Sequence, residues 1–521
     1  MTGALQDAGV LAAAGAGVAV LLADDPRRRA LAQLAAPVLC VAALATVVGS
    51  TASDELRRRG AAVAVAAVVG LVALAVLALL MRRRPAVFPL LVAAALPFRV
   101  PVNVGGTEAN LLLPLYGVIA AGLLAYAFER LRRPAADPAW WEPERERRLR
   151  HVEIALAVVV GLYALQALYS RDLETAVKNV CFFYVPFAVL FRLLAEVRWS
   201  RRLLLGCLGL IVGLTLIFVA VGFVEFATGR LLISNAKVTE ANDLKPYFRV
   251  NSTFFDPNIY GRWVAMTMTL LAAVLLWTRR PRDVVLIAGV LAVMWAGLVI
   301  SLSQSSFAAL LAGLAVLAAL RWRPWPVIAA GVAAVLAGAL VVAFAPAALN
   351  LHARSASALN RATSGRVDLI TGAAEMARDR PVWGFGSGSF APVYRARKHI
   401  RSTRVAAVSH TIPLTIAAEQ GIVGEASYLY LLAVALVLLF AGLRAPPSGE
   451  LAAHVARVAV AAAWCGLLLH TWIYAAFLED PLTWALLAVA GGLRAAPRSD
   501  PQPGYGLATK AEMSGVPRPV T

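Results

Sequence analysis

Apolar runs of 16 to 24 residues recur from one end of this sequence to the other, separated by short connections rich in arginine. A hydrocarbon layer takes roughly 20 helical residues at about 1.5 Å each. Inside it a helix satisfies its own backbone groups segment by segment. The runs are therefore read as membrane helices, and a soluble globular domain is excluded. Composition agrees: 60% of the 521 residues are hydrophobic and 15% are charged, where a soluble chain would hold about a quarter charged. The mean hydropathy is +0.72. The expected fold class is all-α, a polytopic transmembrane helical bundle. Fifteen candidate runs lie near 8–23, 31–50, 61–81, 86–98, 109–127, 152–169, 174–195, 203–226, 259–278, 283–301, 305–320, 326–345, 412–441, 455–477 and 481–494. The first and fourth are short enough to be interfacial or re-entrant, so 12–15 spans are expected.

The net charge of +19 raises the question of nucleic acid. The placement of the charge answers it, because basic residues flanking membrane helices set orientation; no nucleic-acid partner is expected. Arginine outnumbers lysine 44 to 5 and alanine is abundant, a composition associated with GC-rich bacterial genomes. Arg27 to Arg29, Arg82 to Arg84, Arg130 to Arg150, Arg198 to Arg202, Arg279 to Arg282, and Arg321 with Arg323 fall on one side, read as the cytoplasm. Arg57, Arg58 and Arg59 fall on the other, so either a short early segment does not span or that loop is an exception. Met1 to Val10 lack a basic n-region, so a cleaved signal peptide is not expected. The four cysteines (Cys40, Cys181, Cys207, Cys465) lie in apolar runs without metal-ligand spacing and read as small apolar fillers.

Two connections are too long for plain turns, 227–258 and 346–410, and both fall outside. The chain accordingly divides into N-terminal helices (1–226), a core carrying both outer loops (227–441), C-terminal helices (442–496) and a disordered cytoplasmic tail (497–521). The second loop holds nine arginines and one lysine against Asp368, Glu375 and Asp379. Such an excess suits an anionic ligand, since guanidinium forks match phosphate oxygens. A helix is expected from Arg366 to Arg378, with Val367, Ile370, Ala374 and Ala377 on one face and Pro381 after it. Gly384 to Phe390 follows, with three glycines. It has no lysine in the position a phosphate-binding loop requires, and is read as a tight turn that lets the backbone approach the membrane surface. His410 stands where the loop re-enters the membrane, either as a helix-start residue or as a proton acceptor. His470 lies mid-helix and is explained by a structural hydrogen bond.

Four stretches together resemble the O-antigen ligase and polymerase family of membrane glycosyltransferases. They are Arg249 followed by Asp256-Pro257-Asn258; Ser301-Leu302-Ser303-Gln304-Ser305; Gly365-Arg366 followed by Arg380-Pro381-Val382-Trp383-Gly384-Phe385-Gly386; and His410 followed by Glu419-Gln420-Gly421 and Gly424. The resemblance covers about 245–440 in order and spacing. Gln304 stands where that family usually has arginine, and Thr411 where it has asparagine.

The resemblance implies a metal-independent architecture similar to the GT-C class, with a large helical outer loop and no cofactor. It implies transfer of a glycan from a polyprenyl diphosphate carrier to a glycan, lipid or other hydroxyl acceptor. That reaction would take place on the outer face of a bacterial cytoplasmic membrane, facing the periplasm or cell exterior among membrane lipids. Its catalytic residues here would be Arg249 and Arg366, on the diphosphate, and His410, on the acceptor hydroxyl. Asn258, Arg262, Arg378 and Glu419 are further substrate-binding candidates, and Glu419 is equally suited to holding backbone amides. A lipid-linked glycan flippase or transporter without glycosyl transfer is the alternative. It predicts broken helices in matching halves, and no internal repeat is visible in the sequence.

Overall fold

The computed structural model describes the chain from Thr2 to Ala495. Residues 105–106, 133–142, 401–408, 410, 445–450 and 475, and most of 234–246 and 323–365, lie outside the described residues. The side chains of most of 48–63, of 101–110, of 143–146 and of a few helix ends lie outside them too. His410, the 326–345 run for the most part and the C-terminal tail therefore fall beyond the description.

The protein is a helical membrane bundle, as its apolar runs require. In chain order come α1 (Thr2–Leu22), α2 (Pro26–Arg83), α3 (Val87–Ala95), β1 (Val100–Val104), β2 (Thr107–Leu111), α4 (Leu113–Arg132) and α5 (Pro143–Ala167). Then come α6 (Leu173–Asn179), α7 (Val185–Ala195), α8 (Arg201–Thr228), α9 (Pro257–Trp277), α10 (Pro281–Ser301) and α11 (Gln304–Arg321). The shorter α12 (Arg366–Asp379) and α13 (Phe390–Arg397) precede α14 (Ile412–Phe440), α15 (Leu451–Ile473) and α16 (Pro481–Ala495). A π turn, Val180–Tyr184, joins α6 to α7 just before Pro186, which cannot donate to a regular helical ladder. Among the described residues, 11 segments are long and apolar enough to cross a membrane, and Pro481–Leu493 is a shorter apolar helix.

One hairpin departs from the all-helical expectation. β1 and β2 pair antiparallel, Val100 with Leu111 through to Val104 with Thr107. In the sequence Gly105 and Gly106 stand between the two strands, a composition favoured where hairpins turn. The hairpin begins just after the candidate span near 86–98 and takes the first residues, 109–111, of the one near 109–127. The helical part of the 86–98 span is α3, nine residues long, roughly 14 Å and too short for a full crossing.

Two of the eleven segments, Pro26–Val47 and Ala64–Arg83, are the ends of the 58-residue α2. Arg130 donates to Gln33, and Arg82 lies over the Phe128 ring. Both ends of α2 thus meet the same end of α4. A straight helix would separate Gln33 from Arg82 by roughly 70 Å, so the segment must fold back between them. This puts Arg27 to Arg29 and Arg82 to Arg84 together, as their charge predicts.

That arginine-rich end is bound by ion pairs. Glu196 takes Arg29 at 3.5 Å, Arg192 at 3.2 Å and also Arg130. Glu153, buried in α5, takes Arg192 and, at 3.5 Å, Arg150. Arg150 also reaches Asp24 at 3.2 Å and the Leu22 carbonyl at 2.9 Å. One apolar core runs from Val10 in α1 to Leu493 in α16. A separate small core joins Leu369, Ala373 and Met376 of α12 to Phe390 and Tyr394 of α13 and Ala418 of α14. The expected face of α12 is corrected here. Ile370 is 41% exposed, and the buried stripe is Leu369, Gly372, Ala373 and Met376. The Tyr394 ring lies against Gly372, which leaves room for it.

Candidate functional site

At the end of the bundle opposite the ion-paired arginines, polar groups collect around the start of α9 and the break between α10 and α11. The break is short: Leu302, with φ 49 and ψ 32, separates Ser301, which ends α10, from Ser303. It leaves four serines (Ser301, Ser303, Ser305, Ser306) buried beside the start of α9. Asp256 caps α9, accepting from the Asn258 amide at 2.6 Å and from the Tyr474 hydroxyl at 2.8 Å, and Pro257 occupies the first turn.

Asn258 is the junction. Its Oδ1 accepts from Ser303 Oγ at 2.8 Å and from Arg249 Nη2 at 3.3 Å. Arg249 also donates through Nε to the Ser301 carbonyl at 3.2 Å, and its backbone is held in both directions by Asn242. Both acceptors of the guanidinium are neutral. Among the described residues no carboxylate pairs with Arg249, so its charge is oriented without being neutralised. The loop bearing it is fixed by Glu225, buried in α8, which accepts from the amides of Leu232, Asn251 and Ser252 at 2.7–3.1 Å.

Arg262, one turn further along α9, behaves differently. It forms a buried ion pair with Asp480 at 2.5 Å, tying α9 to the start of α16. Arg99, just before β1, enters the same neighbourhood. Burial lowers its guanidinium from the usual value, and the charge of Asp480 opposes that shift. Burial raises the Glu479 carboxyl, with Arg99 opposing. His470 is fully buried, and its Nε2 shares a 3.2 Å hydrogen bond with Ser305 Oγ. It thus makes the structural hydrogen bond the sequence suggests, and the charges of Arg262 and Arg366 both reach it.

Arg366 heads α12 and has no hydrogen-bond or ion-pair partner among the described residues. Arg378 is exposed, twelve residues on, about 18 Å along the helix. Arg397 and Lys398 of the same outer segment are neutralised by Asp379 and Glu375. Gln304 is exposed at the start of α11.

Glu419 holds the glycine-rich turn. Its two carboxylate oxygens accept from the amides of Gly388 at 2.9 Å and Phe390 at 2.8 Å. The turn meets α14 backbone to backbone, where Gly421 leaves helical geometry at φ 64 and ψ −161. Phe385 and Gly386 donate to the carbonyls of Ala418 and Glu419, and Ile422 donates back to Pro381. A Cβ on Gly384 would stand 2.3 Å from the Glu419 carbonyl, and one on Gly421 2.3 Å from that of Val382. The tight turn read from the sequence is therefore a clasp onto the α14 kink. The α5–α6 connection completes it: Gln166 donates to the Gln420 carbonyl at 3.1 Å, Tyr169 to that of Trp383 at 2.7 Å and Ser170 to that of Ser387 at 2.8 Å.

Of the residues singled out in the sequence, Arg249 and Asn258 are brought together, with Arg262 beside them and Arg366 within electrostatic reach of His470. Glu419 belongs to the clasp, Arg378 stands apart, and His410 lies outside the described residues. Arg99, Glu225, the serine cluster, Tyr474 and Asp480 were not singled out for the site. The break at Ser301–Ser303 within an apolar stretch was the available signal for the serines. Among the described residues no three His, Cys, Asp or Glu side chains converge as metal ligands.

Residues 289–429 match the family model described as O-antigen ligase. The match runs from within α10 into α14 and takes in the serine break, Arg366, the glycine-rich turn and Glu419. It supports assignment to the O-antigen ligase and polymerase family, and with it a glycan-ligating or polymerising function at the membrane. No curated protein matches the chain.

Proposed function

We propose that this protein transfers a glycan from a polyprenyl diphosphate carrier to an acceptor hydroxyl, at the membrane face opposite the ion-paired arginines, without a divalent metal. The observation that carries the reading is the contrast among its buried and half-buried arginines. Arg249 is oriented by neutral oxygens and Arg366 has no described partner, so both retain charge for an anion. In the proposed step the acceptor oxygen bonds to the anomeric carbon as that carbon's bond to the diphosphate breaks. The diphosphate leaves with the bonding electrons, and its charge rests on the guanidinium forks of Arg249 and Arg366. The acceptor proton passes to His410, whose place at the loop's return to the membrane motivates that role. Asn258 orients Arg249. Arg262 acts through Asp480, holding α9 in place, and Glu419 acts through the clasp.

The test is product formation by purified enzyme given a polyprenyl diphosphate-linked glycan and a hydroxyl acceptor in excess chelator. Turnover should persist. Loss of turnover in chelator with recovery on adding magnesium would overturn the metal-independent step. Movement of the lipid-linked glycan across vesicles without any new glycosidic bond would replace the enzyme with a flippase.

A further inference from the structure

An elongated cavity opens toward the other end of the bundle. Of about 520 Å³, it runs between α3, α8, α9, α15 and α16. Its α9 wall is the stripe Trp263, Met266, Leu270, Val274 and Trp277, and its remaining walls are almost wholly aliphatic. From Trp263 to Thr278 the lining follows α9 for about 22 Å, so the space is elongated along the helices. Leu205 and Leu451 line it and are each about half exposed, so it opens near the arginine-rich end. Arg201 and Trp199 line the same end. Arg201 is exposed and makes no ion pair among the described residues.

Water gains nothing in so apolar a space, because it needs polar partners. Hydrocarbon from the surrounding bilayer fits it. We propose that the cavity takes one acyl chain of an anionic phospholipid from the leaflet at the arginine-rich end, with its phosphate on Arg201. The occupant is anionic because Arg198, Arg202, Arg279 and Arg280 crowd the same end, and clustered arginines beside a membrane favour anionic headgroups. Trp199 and Trp277 sit at the level of the membrane interface, where indole rings anchor. The site is independent of the glycan chemistry proposed above.

The experiment is native mass spectrometry and lipid extraction on full-length protein after delipidation. It is paired with melting temperature on adding phosphatidylglycerol or phosphatidylcholine. Wild-type protein should keep one diacyl anionic lipid and gain more stability from phosphatidylglycerol than from phosphatidylcholine. Ala456→Phe and Leu208→Phe add bulk inside the cavity and delete no contact. Either should abolish retention and the lipid-dependent rise in Tm, while Tm without lipid stays equal or higher. Arg201→Gln should make the two lipids equivalent. Retention of a polyprenyl phosphate instead would overturn the proposal in favour of a donor-tail site. Retention that survives both phenylalanine variants would reduce the lipid to the annulus. Equal responses of the wild type to both lipids would remove the headgroup contact.

Discussion

Arginines at the two ends of this bundle do different work. At one end Arg29, Arg130, Arg150 and Arg192 converge on Glu153, Glu196 and Asp24, joining the α1–α2 connection, α2, α4, α5 and α7. At the other, Arg249 leans on the Asn258 amide oxygen and a carbonyl, and Arg366 has no described partner. A paired guanidinium is consumed by the fold, and truncating either member leaves a buried charge alone. A guanidinium oriented by neutral oxygens keeps its charge for something that arrives later. Counting arginines does not separate the two uses; the identity of their acceptors does.

That contrast can be broken by substitution, and the largest effect belongs to the end proposed for glycan transfer. His410→Ala should lower product formation by about 100- to 10,000-fold with an unchanged melting temperature on the same preparation. Near-normal turnover in the folded variant removes the histidine from the chemistry. At the paired end, Glu153→Ala removes the buried partner of Arg192, which keeps only the partly exposed Glu196, and should cost about 1–3 kcal/mol of stability. Turnover per folded molecule should hold. A loss of turnover at full stability would mean that the two ends are not separable. Arg366→Lys keeps the charge and loses the fork, and should lower turnover on the order of 100-fold without destabilisation. A fall in Tm matching the fall in rate would place Arg366 with the structural arginines. Smallest is Arg397→Lys, in a partly exposed pair with Asp379, for which about 0–1 kcal/mol is expected and no measurable change in turnover.

The helices were legible in the sequence because a membrane demands length and apolarity, and both are written in consecutive residues. The stretch holding Arg249 and Asn258 was picked out through resemblance, and their hydrogen bond came only with the fold. What escaped depends on contacts distant in sequence. Glu153 and Glu196 look like ordinary flanking charges until folding brings four arginines to them. Asp480 is unremarkable until Arg262 meets it. The hairpin at 100–111 had a local signal, alternating residues about Gly105-Gly106, which the surrounding apolar character masked. The buried face of α12 was misassigned because two apolar stripes share its period, and Tyr394 selects the one containing Gly372. The glycine-rich turn was read correctly as a close approach, though toward another backbone and not toward the membrane surface.

The clasp also sets a schedule for making the protein. Ser170 finds its partner, the Ser387 carbonyl, 217 residues later in the chain. At a synthesis rate of about 5–20 residues per second, that is roughly 10–45 s during which the α5–α6 connection is already in place without its mate. Gln166 waits longer still, since the Gln420 carbonyl is 254 residues away. A side-chain amide near the end of a membrane helix must pass that interval solvated by water, lipid headgroups or an insertion factor. The clasped end of the bundle is therefore completed only after α14 has been inserted, and a ribosome stalled before Gly421 would leave the N-terminal helices with this end unfastened.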